Sequence, residues 1–168
     1  MTLPVLPLSL AVIALMVVGC REPERPAVQS ERGAAPEGHH HPSLHGGTAV
    51  ELGAHEFQLD VVFTAAEGLL QCYVMDGHMA NFVRIPAPAL SVTAKLPSGE
   101  TTLTLLPMAN HATGEKVGDT SLFQAQADTL KGVAGFDAVL KEISIRGRNY
   151  SNIVLRLGAP GAVAPAKP

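Results

Sequence analysis

Four histidines fall within seven positions of the sequence: His39, His40, His41 and His45. Neutral imidazole nitrogens bind Zn, Cu or Ni, and a flexible tract rich in such nitrogens can wrap around one ion. The tract therefore predicts a site for a transition metal, with low affinity if it acts alone. The alternative is a polar linker in which none of these side chains binds an ion.

Further candidate ligands lie on predicted loops: His78, Met79, Met108 and His111. A thioether beside an imidazole at an exposed loop tip would suit Cu(I). The alternative for each pair is an ordinary loop residue with no ligand role. His55 lies at the start of a predicted strand, and we interpret it as structural. The hypothesis of a metal site becomes stronger if these loops and the histidine tract lie at the same end of the fold.

The sequence offers little support for an enzyme. No G-x-S-x-G, H-E-x-x-H or P-loop motif is present. Ser121 has no evident base partner, and the acidic side chains near the predicted strands are interpreted as solvent-facing, among them Glu51, Glu56, Asp60 and Glu67. We therefore predict a protein without catalytic residues.

The elements that must position these ligands are β-strands. From residue 48 onward apolar and polar residues alternate with a period of two, and turn signals such as Asp76-Gly77 recur. About eight short strands without a long helix predict an all-β domain over residues 46–158. We expect an antiparallel, immunoglobulin-like β-sandwich, although the spacing also allows a small barrel. Cys72 is predicted in the core, and a parity change near Lys141 predicts a β-bulge.

Residues 8–20 form an uncharged apolar run that ends in Val17-Val18-Gly19-Cys20. The run is short for a membrane span and fits the core of a secretion signal. Its last four residues resemble the lipobox of bacterial lipoproteins, in which the cysteine sulfur is lipidated. We therefore expect residues 1–20 to be a lipoprotein signal peptide with a helical core, and Cys20 to carry lipid. The alternative is an uncleaved anchor helix.

The segments on either side of the domain have compositions typical of disorder. Residues 21–45 are rich in Pro, Glu, Arg, Ala, Gly and His, and we expect a disordered, histidine-rich tether. Residues 159–168 are rich in Gly, Ala and Pro, and we expect a disordered tail. The lipid would anchor the domain to a membrane of the cell envelope, facing the periplasm. Arg21 after the cysteine favours the outer membrane over the inner one.

Charge argues against one class of partner. The net charge is −3 and no cluster of Lys or Arg stands out, so nucleic acid is not expected to bind. The membrane, reached through the lipid, is the first expected partner.

Short motifs within the domain are similar to a known small β-domain. They are the sequences at residues 45–47, 51–53, 56–61 and 73–77. This domain occurs in adaptor proteins of heavy-metal efflux pumps of the resistance-nodulation-division type and as free-standing periplasmic lipoproteins. The resemblance implies a role in metal handling and an efflux-system protein as partner. The helical hairpin and lipoyl-like domain of complete adaptors are missing, so the chain resembles the isolated domain.

Two functions follow as hypotheses. In the first, a membrane-tethered β-domain binds or buffers Zn, Cu or Ni and is linked to metal efflux. Its affinity should fall below roughly pH 6, where imidazoles take up protons. In the second, the protein is a non-catalytic structural or partner-docking lipoprotein, and its histidines have no metal role.

Overall fold

A computed structural model describes residues 41–158. The expected signal peptide, Cys20, most of the tether with His39 and His40, and the C-terminal tail lie outside the described residues. Within them the chain forms eight strands: β1 (Thr48–Leu52), β2 (Phe57–Thr64), β3 (Leu69–Asp76), β4 (Leu90–Leu96), β5 (Gly99–Pro107), β6 (Leu122–Gln126), β7 (Gly135–Ile145) and β8 (Arg148–Gly158). One 3-10 turn (Asp128–Leu130) precedes β7. The described part of the chain contains no helix with the length and apolar character needed to span a membrane.

All pairings between neighbouring strands are antiparallel, in the order β1-β2-β3-β6-β5-β4-β7-β8. The eight strands form one sheet that is nearly closed into a barrel. Its two edges, β1 and β8, approach each other, and the Thr48 hydroxyl donates to the carbonyl oxygen of Arg156 at 3.2 Å. The all-β, antiparallel prediction is confirmed, whereas the immunoglobulin-like sandwich stays a prediction.

Alternation of side chains explains the core. Inward residues of β3 are Leu70, Cys72 and Val74, and β4 contributes Leu90, Val92, Ala94 and Leu96 in the same way. Each fully buried Leu or Val side chain contributes about 1.5–3 kcal/mol by leaving water. Cys72 is buried as predicted, and burial, followed by the nearby charge of Asp60, raises the pKa of its thiol to about 12.

The opposite face of β2 departs from the sequence-based expectation. Asp60 was expected to face solvent, but it is fully buried, and Gln58 on the same face is buried too. Chain segments outside the sheet cover this face: residues 43–45 lie over Asp60, and the Gly77 carbonyl accepts a hydrogen bond from Gln58. The expectation of a solvent-facing Asp60 is therefore wrong.

The parity change in β7 also has a different basis from the predicted bulge. Leu140 pairs with Ile153 and Glu142 pairs with Ser151, so neither strand contains an extra residue. Instead, the ladder lacks the pair 141/152, and Asn152 of β8 adopts a φ of 54° at this level. The register is preserved, but the buried positions change from even-numbered residues up to Leu140 to odd-numbered residues from Ile143 onward. The bulge prediction is therefore wrong, although the parity change was real.

Candidate metal centre

The turn between β1 and β2 positions His55. The turn is closed by the amide of Glu56, which donates to the Leu52 carbonyl at 3.2 Å. The Glu56 carboxylate then accepts a hydrogen bond from the Tyr150 hydroxyl at 2.6 Å and pairs with Arg148, so β8 holds the turn. His55 has a φ of 63°, in the left-handed region, which costs an L-residue about 1–2 kcal/mol. Such strain persists where the surroundings fix it, and it often marks a functional position.

The loop after β3 positions His78. The Asp76 carboxylate accepts hydrogen bonds from the Ala80 amide at 2.8 Å and the Asn81 side-chain amide at 2.6 Å. Slight burial raises the pKa of Asp76, but these hydrogen bonds and the nearby His78 outweigh it and lower the pKa overall. Met79 is only 3% exposed and anchors the loop in the interior, which leaves His78 on the outside.

Gly77 lets the two turns approach each other. Its φ is not left-handed, but a Cβ at this position would lie 2.0 Å from the carbonyl oxygen of His55, where no side chain fits. The Gly77 carbonyl is fixed in turn by the buried side chain of Gln58, which donates to it at 2.8 Å. The backbones that carry His55 and His78 are therefore packed directly together.

Asp60 holds the entry segment, residues 41–47, against the sheet. Its buried carboxylate accepts hydrogen bonds from the Ser43 hydroxyl at 2.6 Å and from the amides of Leu44 and His45 at 3.0 and 3.1 Å. The Nδ1 of His45 lies 2.8 Å from the same carboxylate, and its ring stacks on Tyr73 with centroids 4.0 Å apart. This anchoring fixes the chain two residues downstream of His41.

His41, His55 and His78 consequently form one group, the histidine triad. One ligand nitrogen from each residue lies within 4.8 Å of the other two, and the Nε2 atoms of His41 and His55 are 3.1 Å apart. Two nitrogens at this distance, each about 2.0–2.1 Å from one Zn ion, would subtend about 98°. The ring centroids are separated by 5.0, 5.4 and 6.0 Å, near the roughly 5 Å expected for imidazoles around one ion. The triad could therefore hold a metal ion.

Glu51 lies beside the triad, on the Nδ1 side of the His55 ring. Its carboxylate Oε2 lies 3.4 Å from Nδ1 of His55, four residues away. A carboxylate on the Nδ1 side favours the tautomer that leaves Nε2 free to bind an ion. The Nε2 of His55 is the nitrogen that faces His41. Glu51 therefore contacts one ring nitrogen while the other is directed toward the proposed ion, as in a metal ligand with a supporting carboxylate.

The structure brings together only some of the residues proposed from the sequence. His41 and His78 belong to the triad, His45 is bound to Asp60, and Met79 is buried in the interior. His111 is exposed and Met108 half-buried, and His111 is not part of the histidine group. His39 and His40 lie outside the described residues.

The sequence favours a structural role for His55, whereas the structure places it in the triad. The signal that points to it is strand register. Phe57 pairs with Asp76 at the end of the β2–β3 ladder, and extending this register by two residues places His55 opposite His78. Once the Asp76-Gly77 turn is paired with the preceding strand, the two histidines must lie side by side.

A second polar cluster surrounds the buried carboxylate of Glu115. The buried carboxylate of Glu115 accepts a hydrogen bond from the Ser121 hydroxyl at 2.8 Å, and Arg84 lies 3.6 Å away. Ser121 therefore donates its proton to a carboxylate that is already paired with a cation.

Comparisons with protein families, curated proteins and solved structures found no match for this chain. The function therefore has to be inferred from the geometry and chemistry of the histidine triad itself. The resemblance to the efflux-adaptor domain stays an expectation from the sequence.

Proposed function

We propose that this protein is a metal-binding module of the cell envelope, with the histidine triad as its binding site. The observation that carries the proposal is the convergence of three imidazole nitrogens within 4.8 Å, from three separate chain segments. Chance proximity of three histidines would not explain the left-handed backbone of His55, the close packing at Gly77 or the carboxylate of Glu51 beside Nδ1 of the His55 ring. All three features act to hold the imidazoles in place.

The donor set favours borderline divalent ions. Three imidazoles suit Zn(II), Cu(II) and Ni(II), and among these the expected affinity is highest for Cu(II). Soft ions such as Cu(I) prefer thiolate or thioether ligands. Burial keeps the Cys72 thiol protonated, and the triad itself offers only imidazole nitrogens. We therefore propose a divalent ion, in place of the Cu(I) suggested by the His-Met sequence.

We further propose that the domain works at a membrane surface, where it captures or buffers the ion and passes it to an efflux system. This rests on the apolar run at residues 8–20 and on the lipobox-like sequence that ends at Cys20. Labelled palmitate should be incorporated into the expressed protein but not into a Cys20→Ser variant. A wild-type protein that stays unlabelled in a lipoprotein-processing host would contradict the anchoring.

Calorimetric titration of the mature chain with Zn(II), Cu(II) and Ni(II) tests the metal proposal. We expect saturable binding of one ion per chain, and loss of that binding when His55 is replaced by Ala. His111→Ala is the matched control, since it removes an imidazole from an exposed loop outside the triad and should leave the affinity unchanged. Equal loss in both variants, or binding that survives His55→Ala, would contradict the proposed site.

Thermal unfolding gives a second readout. A metal that binds only the folded state at a free concentration 100 times its Kd adds about 2.7 kcal/mol to the free energy of unfolding. For a domain of this size that corresponds to a rise in Tm of about 8–12 °C. We expect this rise in the wild type and in His111→Ala, and no rise in His55→Ala.

A further inference from the structure

We propose that an ion bound by the histidine triad keeps one coordination position free for a ligand from outside the protein, such as a small anion or a further nitrogen donor. This inference rests on the proposed function and specifies how the site would exchange its ion. It follows from the contacts of the carboxylates and of the other imidazole near the triad, which direct their donor atoms elsewhere.

Glu56, next to His55 in the sequence, is bound by Tyr150 and Arg148, and two further carboxylates near the triad are also committed elsewhere. Glu51 lies on the Nδ1 side of His55, so it faces the edge of the ring away from His41. Asp76 has both carboxylate oxygens turned into its own loop, where they accept hydrogen bonds from Ala80 and Asn81. Neither carboxylate is placed to become a fourth ligand without giving up these contacts.

The remaining imidazole of the entry segment is also occupied. His45 has its Nδ1 on the buried carboxylate of Asp60 and its ring stacked on Tyr73. The Met79 thioether is buried, although it follows His78 directly in the sequence. Among residues 41–158, the group of His, Cys, Asp and Glu side chains that could share one ion contains only the three histidines.

Solvent reaches the site at His78. His41 and His55 are half-buried, whereas His78 is exposed. Zn(II) and Cu(II) take at least four ligands, and three protein ligands with one external ligand is the usual arrangement of an open site. Water would fill the free position until another donor replaces it. In that exchange the bond from the metal to water breaks as the new bond forms, and the metal keeps its charge and its three imidazoles.

An open position gives the proposed handover a route. An accepting protein can contribute its first ligand while all three histidines still hold the ion, so the ion never has to be released into water. The exposed position of His78 makes it the first imidazole that an incoming donor would replace.

Azide binding to the Cu(II)-loaded full-length mature chain tests the inference. We expect azide to produce a saturable charge-transfer absorption while copper stays bound to the protein on gel filtration. The same titration is made on the double variant His39→Ala/His40→Ala, because these histidines precede His41 directly, and on His111→Ala as a control. All three proteins should respond with dissociation constants for azide within about twofold of one another.

The possible failures are distinguishable. If copper binds but azide produces no new absorption in the wild type, the position is filled and the inference is wrong, while the proposed metal site stands. If only the double variant responds, the chain itself supplies the fourth ligand, which also overturns the inference. If copper does not bind at all, the proposed function fails and the inference fails with it.

Discussion

Gly77→Ala is the substitution that most sharply tests how the triad is assembled. The added Cβ would lie 2.0 Å from the carbonyl oxygen of His55, whereas real Cβ contacts do not fall below 3.0 Å. The two backbones must therefore separate by about 1 Å at this point. Ligand distances in a metal site are held to within about 0.2 Å. A shift five times larger pulls His78 away from His55, although neither imidazole has been changed.

We expect the zinc affinity of Gly77→Ala to fall by about 10–100-fold, the usual effect of removing a group that positions a ligand. The free energy of unfolding should fall by about 1–3 kcal/mol, because the clash is with backbone. Calorimetric titration with Zn(II) measures the affinity, and urea unfolding without metal measures the stability.

Gly135→Ala provides the matched control. There a Cβ would lie 2.6 Å from the Leu157 carbonyl, which is also a backbone clash, at the far end of the β7–β8 hairpin from Arg148. This variant should lose stability and keep its zinc affinity. If Gly77→Ala does not fold, Gln58→Leu removes the donor to the Gly77 carbonyl and should weaken zinc binding in the same way.

A Gly77→Ala variant that is folded and binds zinc as tightly as the wild type would contradict this prediction. The close approach of the two turns would then not position His78, and the triad would owe its geometry to something else. Equal losses of affinity in Gly77→Ala and Gly135→Ala would show that general destabilisation, and not local geometry, weakens the site.

Three further predictions follow from the same contacts. Without metal, urea unfolding should show that His55→Gly is about 0.5–1 kcal/mol more stable than His55→Ala, because Gly tolerates the left-handed backbone at φ 63°. A lower stability of the Gly variant would show that the backbone at residue 55 is not strained. Asp60→Asn should lower the free energy of unfolding by about 1–3 kcal/mol, since a side-chain amide cannot accept all the hydrogen bonds from residues 43–45. Amide hydrogen exchange in residues 43–45 should become faster, and unchanged exchange would show that Asp60 does not hold this segment. The stability that the buried, neutral Cys72 thiol provides is fully present below pH 9, the ordinary pKa of the thiol, and is lost as the pH rises toward its folded value of about 12. Between pH 8 and pH 10 the wild type should therefore lose about 1 kcal/mol more stability than Cys72→Ala, and equal losses would show that the thiol is not shielded.

The strands were predictable because their signal is local. Alternation in β2, β3 and β4 identifies the inward residues Leu59, Cys72 and Val92, and the structure confirms each of them. The order of the strands was not predictable in the same way. It depends on non-local pairings, such as β3 with β6 and β4 with β7, and no periodicity within a strand specifies its partner.

The site was only half predictable for a related reason. His41 and His78 stand out by type and context, but a histidine at the start of a strand carries no sign of its neighbours. His55 joins the triad through the register of β2 on β3, which is a property of the pair. Asp60 lies on the polar face of β2 and is nevertheless buried, because residues outside the sheet fold over it.

Anomalous diffraction from crystals of the zinc-loaded protein tests the central claim most directly. The account predicts one strong peak per chain, about 2.0–2.1 Å from a ring nitrogen of each of His41, His55 and His78. A peak bound by other side chains, or no peak at the triad in crystals that contain stoichiometric zinc, would contradict it.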